Sequence, residues 1–116
     1  VDIDAYCLSK LKATKDYQPD WEATRYMIGG KIFAMVGCDK QGKPIISLKS
    51  DPVDALALRE QFSGIIPGYY LNKKYWNSVY LEDCPPDEVV LKMIDISYEL
   101  VFNSFSKKKQ NEMKGV

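Results

Sequence analysis

Thr24 to Lys49 reads TRYMIGGKIFAMVGCDKQGKPIISLK, and its reading decides the fold class. Thr24 to Ile28 is rich in strand-forming residues and runs into Gly29-Gly30, a pair that admits the positive φ angles of a tight hairpin. Lys31 to Gly37 follows and is too apolar to be half-exposed throughout, so it reads as a central strand. Asp39 to Lys43 contains Gly42 and makes a second turn, and Pro44 to Lys49 is a third strand. Three consecutive strands with short connections are expected to form an antiparallel meander.

The clearest boundary lies just beyond the meander, at Ser50-Asp51-Pro52-Val53-Asp54. Proline suits a first helical position because its missing N–H has no partner there. Asp54 adds negative charge where the helix dipole is positive. Ala55, Leu58 and Phe62 then line one helix face, and Gly64 ends it. Upstream, Asp2 caps an expected helix over roughly residues 3–14, with Ile3, Tyr6, Cys7 and Leu11 on one face. Residues 15–22 are polar, carry Pro19 and read as a loop. Downstream, strands are expected over 65–70 and 75–81, joined by Leu71-Asn72-Lys73-Lys74. Pro85-Pro86-Asp87-Glu88 opens the longest helix, with an apolar stripe of Val90, Met93, Ile94, Ser97, Tyr98, Val101 and Phe105. That helix is expected to end near Lys107-Lys108-Lys109, where positive charge suits a C-terminus. The order αβββαββα implies an α+β domain, an antiparallel sheet with helices on one face.

The 116 residues argue for one domain over 1–116. Apolar residues at 46% and charged ones at 28% are ordinary for a folded globular chain. Sixteen basic and sixteen acidic residues cancel, which disfavours strong non-specific nucleic-acid binding but leaves room for a local basic patch. Cys7, Cys38 and Cys84 are odd in number and not at metal-ligand spacing. They read as reduced thiols of a cytoplasmic protein. No apolar run reaches the roughly 20 residues of a membrane span, and the opening Val1-Asp2-Ile3-Asp4 does not read as a signal peptide.

The chain has no histidine, which removes the usual general base and the commonest zinc ligand. Ser9, Ser47 and Ser63 have no activating context, and the cysteines have no cationic cluster to lower a thiol pKa. The glycines match no phosphate-cradling loop, because Gly29-Gly30 precedes a strand rather than a helix. The carboxylates at 2–4 and 51–54 sit at helix starts, where the dipole alone explains them. No catalytic role, metal or cofactor is therefore expected.

Pro67 to Asp83, PGYYLNKKYWNSVYLED, sets four tyrosines and a tryptophan around two lysines. Strand alternation puts Trp76, Ser78 and Tyr80 on one face and Tyr75, Asn77, Val79 and Leu81 on the other. The second set holds the aliphatic residues and is the expected core face. Alternation leaves Trp76 open between a core position and a contact surface beside Lys73 and Lys74. Aromatic rings beside lysines are how proteins stack on bases while touching phosphates. The densest positive cluster is Lys107-Lys108-Lys109, with Lys114 close by. It reads either as a solvated helix end or as a phosphate-contacting arm.

The run Pro67-Gly68-Tyr69-Tyr70-Leu71-Asn72-Lys73-Lys74-Tyr75-Trp76-Asn77-Ser78-Val79 resembles the signature of the MmcQ/YjbR family of small bacterial proteins. Gly30-Lys31-Ile32-Phe33-Ala34, Leu48-Lys49 and Ser97-Tyr98-Glu99-Leu100-Val101 add to the resemblance, which spans nearly the whole chain. Tyr70 and Tyr75 stand where that family usually has histidine. The resemblance implies a CyaY-like, "double wing" α+β fold, a twisted antiparallel sheet packed against helices. Frataxins, which share that architecture, bind iron through a dense acidic first helix. Here the first helix mixes Asp2 and Asp4 with Lys10 and Lys12, so iron binding is not expected. By fold analogy the resemblance implies DNA binding. The contacts would come from Asn72, Lys73, Lys74 and Trp76 at the hairpin and Lys107, Lys108 and Lys109 at the helix end. The alternative is a non-catalytic module that binds a protein or small ligand through the same aromatic face. No membrane partner is expected, and the chain would be a monomer or weak dimer.

Overall fold

A computed structural model of the chain describes residues 2–83 and 85–115; the expected thiol at Cys84 lies outside these. The sheet has six antiparallel strands in the order β1-β2-β3-β4-β6-β5. These are β1 Thr14–Gln18, β2 Ala23–Ile28, β3 Lys31–Cys38, β4 Pro44–Lys49, β5 Ile65–Pro67 and β6 Trp76–Tyr80. Four helices accompany them: α1 Ile3–Leu8, α2 Pro52–Gln61, α3 Asp87–Asn103 and α4 Lys107–Lys114. None is long and apolar enough to cross a membrane.

The meander stands as expected. Gly29 and Gly30 take φ angles of 57° and 83° at the β2–β3 turn. The face of the sheet that presents Phe33, Ile46, Leu48 and Val79 is covered by α3, which contributes Val90, Met93, Ile94 and Val101. Phe33, Ile46, Leu48, Val79 and Ile94 have no exposed surface. At roughly 25 cal/mol per Å² of apolar area, this layer supplies most of the folding energy. Asp51 caps α2 by accepting from Val53 N, with Pro52 at the first helical position. That helix packs over β5 and β6.

Four elements differ from the sequence expectations. The helix at 3–14 stops at Leu8, and Lys12 adopts a left-handed φ of 60° before the chain turns. The segment 15–22 is not all loop, because Thr14–Gln18 forms the edge strand β1. Edge strands are exposed and tolerate polar residues, so no hydrophobic alternation marks this one. The strand expected at 65–70 ends at Pro67, where the chain leaves the sheet edge. The last helix breaks at Ser104, and Ser106 caps a separate α4 by accepting from Lys109 N. Lys107, Lys108 and Lys109 therefore open a helix rather than close one. The element string becomes αββββαββαα within the same α+β class.

Candidate ligand-binding cleft

Among the described residues, the second face of the sheet carries no helix. Along β6 it presents Trp76, Ser78 and Tyr80, while Asn77 and Val79 point to the helix side, as alternation implies. Part of this face is closed by residues 68–75, which do not form a simple hairpin connection. Gly68 N donates to Trp76 O at 2.8 Å. A Cβ on Gly68 would lie 2.7 Å from the Cβ of Trp76, so this crossing requires glycine. Tyr69 N then donates to Ser78 Oγ at 2.9 Å, and Ser78 Oγ lies 2.7 Å from Ser47 Oγ, both hydroxyls buried. The Tyr69 hydroxyl reaches the β3–β4 turn and accepts from Lys40 N at 2.9 Å. In the same turn Asp39 accepts from Gln41 N, Lys43 N and the Tyr80 hydroxyl at 2.8–3.0 Å. These donors, the Lys43 N–H foremost, hold the Asp39 carboxyl below its ordinary range.

The return limb is tied down by polar contacts. Asn72 Oδ1 accepts from Lys74 N at 2.9 Å, an Asx turn. Lys73 Nζ donates to Gly68 O at 2.8 Å. Arg59 of α2 donates through Nη2 to Lys73 O and through Nε to Asn77 Oδ1 at 2.6 Å. Asn77, fully buried, donates onward to Ala55 O at 3.2 Å. Asn72 and Lys73 thus shape the loop as well as facing solvent. Trp76 is half-buried beneath Gly68, outside the helix-side core. Lys74 is exposed, its Nζ 5.6 Å from the Tyr75 ring centre.

Lys107, Lys108 and Lys109 are exposed at the start of α4, which is anchored through Gln110 and Met113. Met113 belongs to the helix-side core. That neighbourhood adjoins the β2–β3 turn, where the Phe105 ring covers Gly29 and Lys31 Nζ bonds Ser104 Oγ at 3.0 Å. The two lysine groups are carried by different neighbourhoods, one beside α2 and the loop, the other beneath α3.

Between the 68–75 loop and the β1–β2 turn lies a cleft of about 1020 Å³. Its floor includes Met35, Gly37 and Ile45, and its lining includes Trp21 at the β1–β2 turn and Tyr69 and Tyr70 on the 68–75 loop, with Tyr17 of the edge strand at the rim. Tyr17, Trp21 and Tyr70 are 59%, 55% and 76% exposed. The rings of Tyr69 and Tyr70 meet at 4.4 Å with an angle of 64°. Each wall also contains a non-glycine residue with left-handed backbone, Glu22 at φ 50° and Tyr70 at φ 62°. Such residues cost of order 1 kcal/mol and gather at ligand clamps. Asp20, Glu22, Asp39 and Lys40 stand around the cleft, and Cys38, at the end of β3, is exposed. The other described thiol, Cys7, is sealed in the core, and burial pushes its pKa up to about 12.

Tyr17, Trp21 and Arg59 were not singled out from the sequence. Two large aromatic residues in the otherwise polar run DYQPDWE are a signal that a loop assignment wastes. Asn77 on an apolar strand face also demands a buried partner, which Arg59 supplies.

The YjbR family matches residues 8–100 of the chain. The chain is 35% identical over 105 residues to the protein YjbR of Escherichia coli (strain K12), covering 90% of this chain and 88% of that one. It is 37% identical over 89 residues to YbdF of Escherichia coli O157:H7, covering 77% and 72%. The crystal structure of Deinococcus radiodurans protein DR2400 superposes with a TM-score of 0.87 at 28% identity, over 97% of this chain and 86% of that one. The matched region runs from α1 into α3 and includes both walls of the cleft, and the chain belongs to the YjbR family.

Proposed function

We propose that this protein is a non-catalytic binding module that takes a small ligand in the cleft on the helix-free sheet face. One observation carries the reading: partly exposed aromatic residues, Trp21 at the β1–β2 turn and Tyr69 and Tyr70 on the 68–75 loop, line one cleft over Met35, Gly37 and Ile45, and the Tyr69 side is held to the sheet by the Ser78 and Ser47 hydroxyls. Ligand sites are concave and largely pre-formed, with a few placed polar groups. Rings left in water on rigid loops add little to stability and much to contact.

The test is a two-dimensional amide NMR spectrum of the labelled chain, titrated with a mixture of aromatic and amine fragments. Shifts gathered at Trp21, Met35, Gly37 and Tyr70 are the expected result. Shifts scattered over the surface, or none at millimolar fragment, count against the cleft.

Nucleic-acid binding is a second reading, favoured by the exposure of Lys73, Lys74, Lys107, Lys108 and Lys109. With about four lysines on phosphates, log K against log salt would fall with a slope near −4. The same spectrum titrated with a short duplex at low salt separates the readings. Shifts confined to residues 72–76 and 106–109 favour the duplex.

A further inference from the structure

We propose that the cleft selects a small organic cation, an amine or methylated ammonium, over neutral and anionic ligands. The inference rests on the cleft reading above and adds the charge of the ligand. Aromatic faces carry negative potential and attract cations within about 6 Å of the ring centre, more so when the site is partly dry. Three such residues, Trp21, Tyr69 and Tyr70, line this cleft. The ionisable side chains around them are Asp20, Glu22, Asp39 and Lys40, three carboxylates against one ammonium. Asp39 already accepts three hydrogen bonds, yet keeps its negative charge and is held ionised by them. The molecule itself places a cation on one wall: the Arg25 guanidinium lies 5.4 Å from the Trp21 ring centre. Arg25 is fixed there by two bonds to Asp16, at 2.8 and 2.6 Å, so its charge is spent on that pair. Trp21 nevertheless remains 55% exposed, which leaves ring surface for a ligand. Phosphates would meet repulsion in this cleft, which separates it from the lysines at 73–74 and 107–109.

The probe is choline, compared with 3,3-dimethyl-1-butanol, which has the same shape without the charge. The readout is the Trp21 indole N–H in NMR spectra of the full chain. Choline is expected to shift it saturably, with about tenfold tighter binding than the neutral alcohol. Trp21→Ala, at an exposed position, should abolish the choline response at the remaining cleft amides. Asp20→Asn with Glu22→Gln should weaken choline about threefold and leave the alcohol unchanged. Should that double variant fail to fold, raising salt from about 20 mM to about 500 mM on the unaltered chain replaces it, with weaker choline binding expected. Equal binding of choline and the alcohol would overturn the charge selection while leaving the cleft as a ligand site. No choline response at about 50 mM, with fragments still binding the cleft, would overturn the cation proposal alone. If fragments also fail there, the cleft reading itself falls.

Discussion

The two faces of the same sheet are closed by different means. One face is covered by α2 and α3 through apolar side chains: Phe33, Ile46, Leu48, Val79 and Ile94 are sealed from water. The other is closed in part by residues 68–75, through hydrogen bonds that Tyr69 N, Lys73 Nζ and Arg59 donate and one that Asn72 Oδ1 accepts from Lys74 N. Apolar closure is non-directional and tolerates no gap, so it yields stability. Polar closure is directional and leaves space beside it, and that space is the cleft. Neighbouring residues of one strand serve both ends, Val79 the core and Ser78 the loop.

This contrast can be broken first at the core. Ile94→Ala should lower unfolding free energy by about 2–5 kcal/mol in denaturant titration, because the site is close-packed between α3 and the sheet. Loss below 1 kcal/mol would mean that the helix layer is not the stabilising one. Asn77→Ala is next. It strips Arg59 Nε and Ala55 O of their partner in a buried place, and about 1–3 kcal/mol should be lost. Because Arg59 also holds Lys73 O, faster amide exchange across residues 72–75 is the accompanying sign.

Gly68→Ala sharpens the comparison on the loop side. The new methyl overlaps Trp76 Cβ, and the loop must shift at a cost of about 1–3 kcal/mol. Ligand binding should fall with it, since the Tyr69–Tyr70 wall hangs from this crossing. Smaller still is Tyr70→Gly, which relieves a left-handed φ while losing one ring contact. Stability should stay within about 1 kcal/mol, and a binding loss of about tenfold or more is expected.

Core and surface differ chemically as well. In a Cys84→Ser background, a thiol reagent should modify Cys38 within minutes and leave Cys7 untouched until the chain unfolds. Acid offers a softer probe. Asp39 on the loop face and Asp95 near α1 both have lowered carboxyl pKa values. For Asp95, burial opposes the shift and the hydrogen bonds from Lys10 and Tyr6 outweigh it. A lowered folded-state pKa means stability that is present above the unfolded value near 4 and lost as pH falls through the folded one. Unfolding free energy should therefore be flat from about pH 5 to 7 and decline below about pH 4.

The helix-covered face was legible in the sequence because period controls it. The stripe from Val90 to Val101 and the run Lys31 to Gly37 predict α3 and β3 and their mutual packing. The loop face was not. The sequence Pro67 to Tyr75 looks like a hairpin connection, since nothing in residue type announces that Tyr69 N bonds Ser78 Oγ, 2.9 Å away in space and nine residues on along the chain. β1 was hidden for the opposite reason, because an exposed edge strand has no apolar face to alternate. The lysines of α4 were legible as a cluster, but their place at a helix start depends on Ser106, whose capping role was overlooked.

The separation of stability from binding is the central claim, and one paired measurement tests it most directly. Trp21→Ala and Tyr70→Gly are each assayed for unfolding free energy and for choline or fragment affinity. The expected result is unfolding free energy within about 1 kcal/mol of the parent and affinity reduced about tenfold or more. Variants that lose several kcal/mol of stability while binding as before would contradict it, and the aromatic walls would then belong to the fold rather than to a ligand.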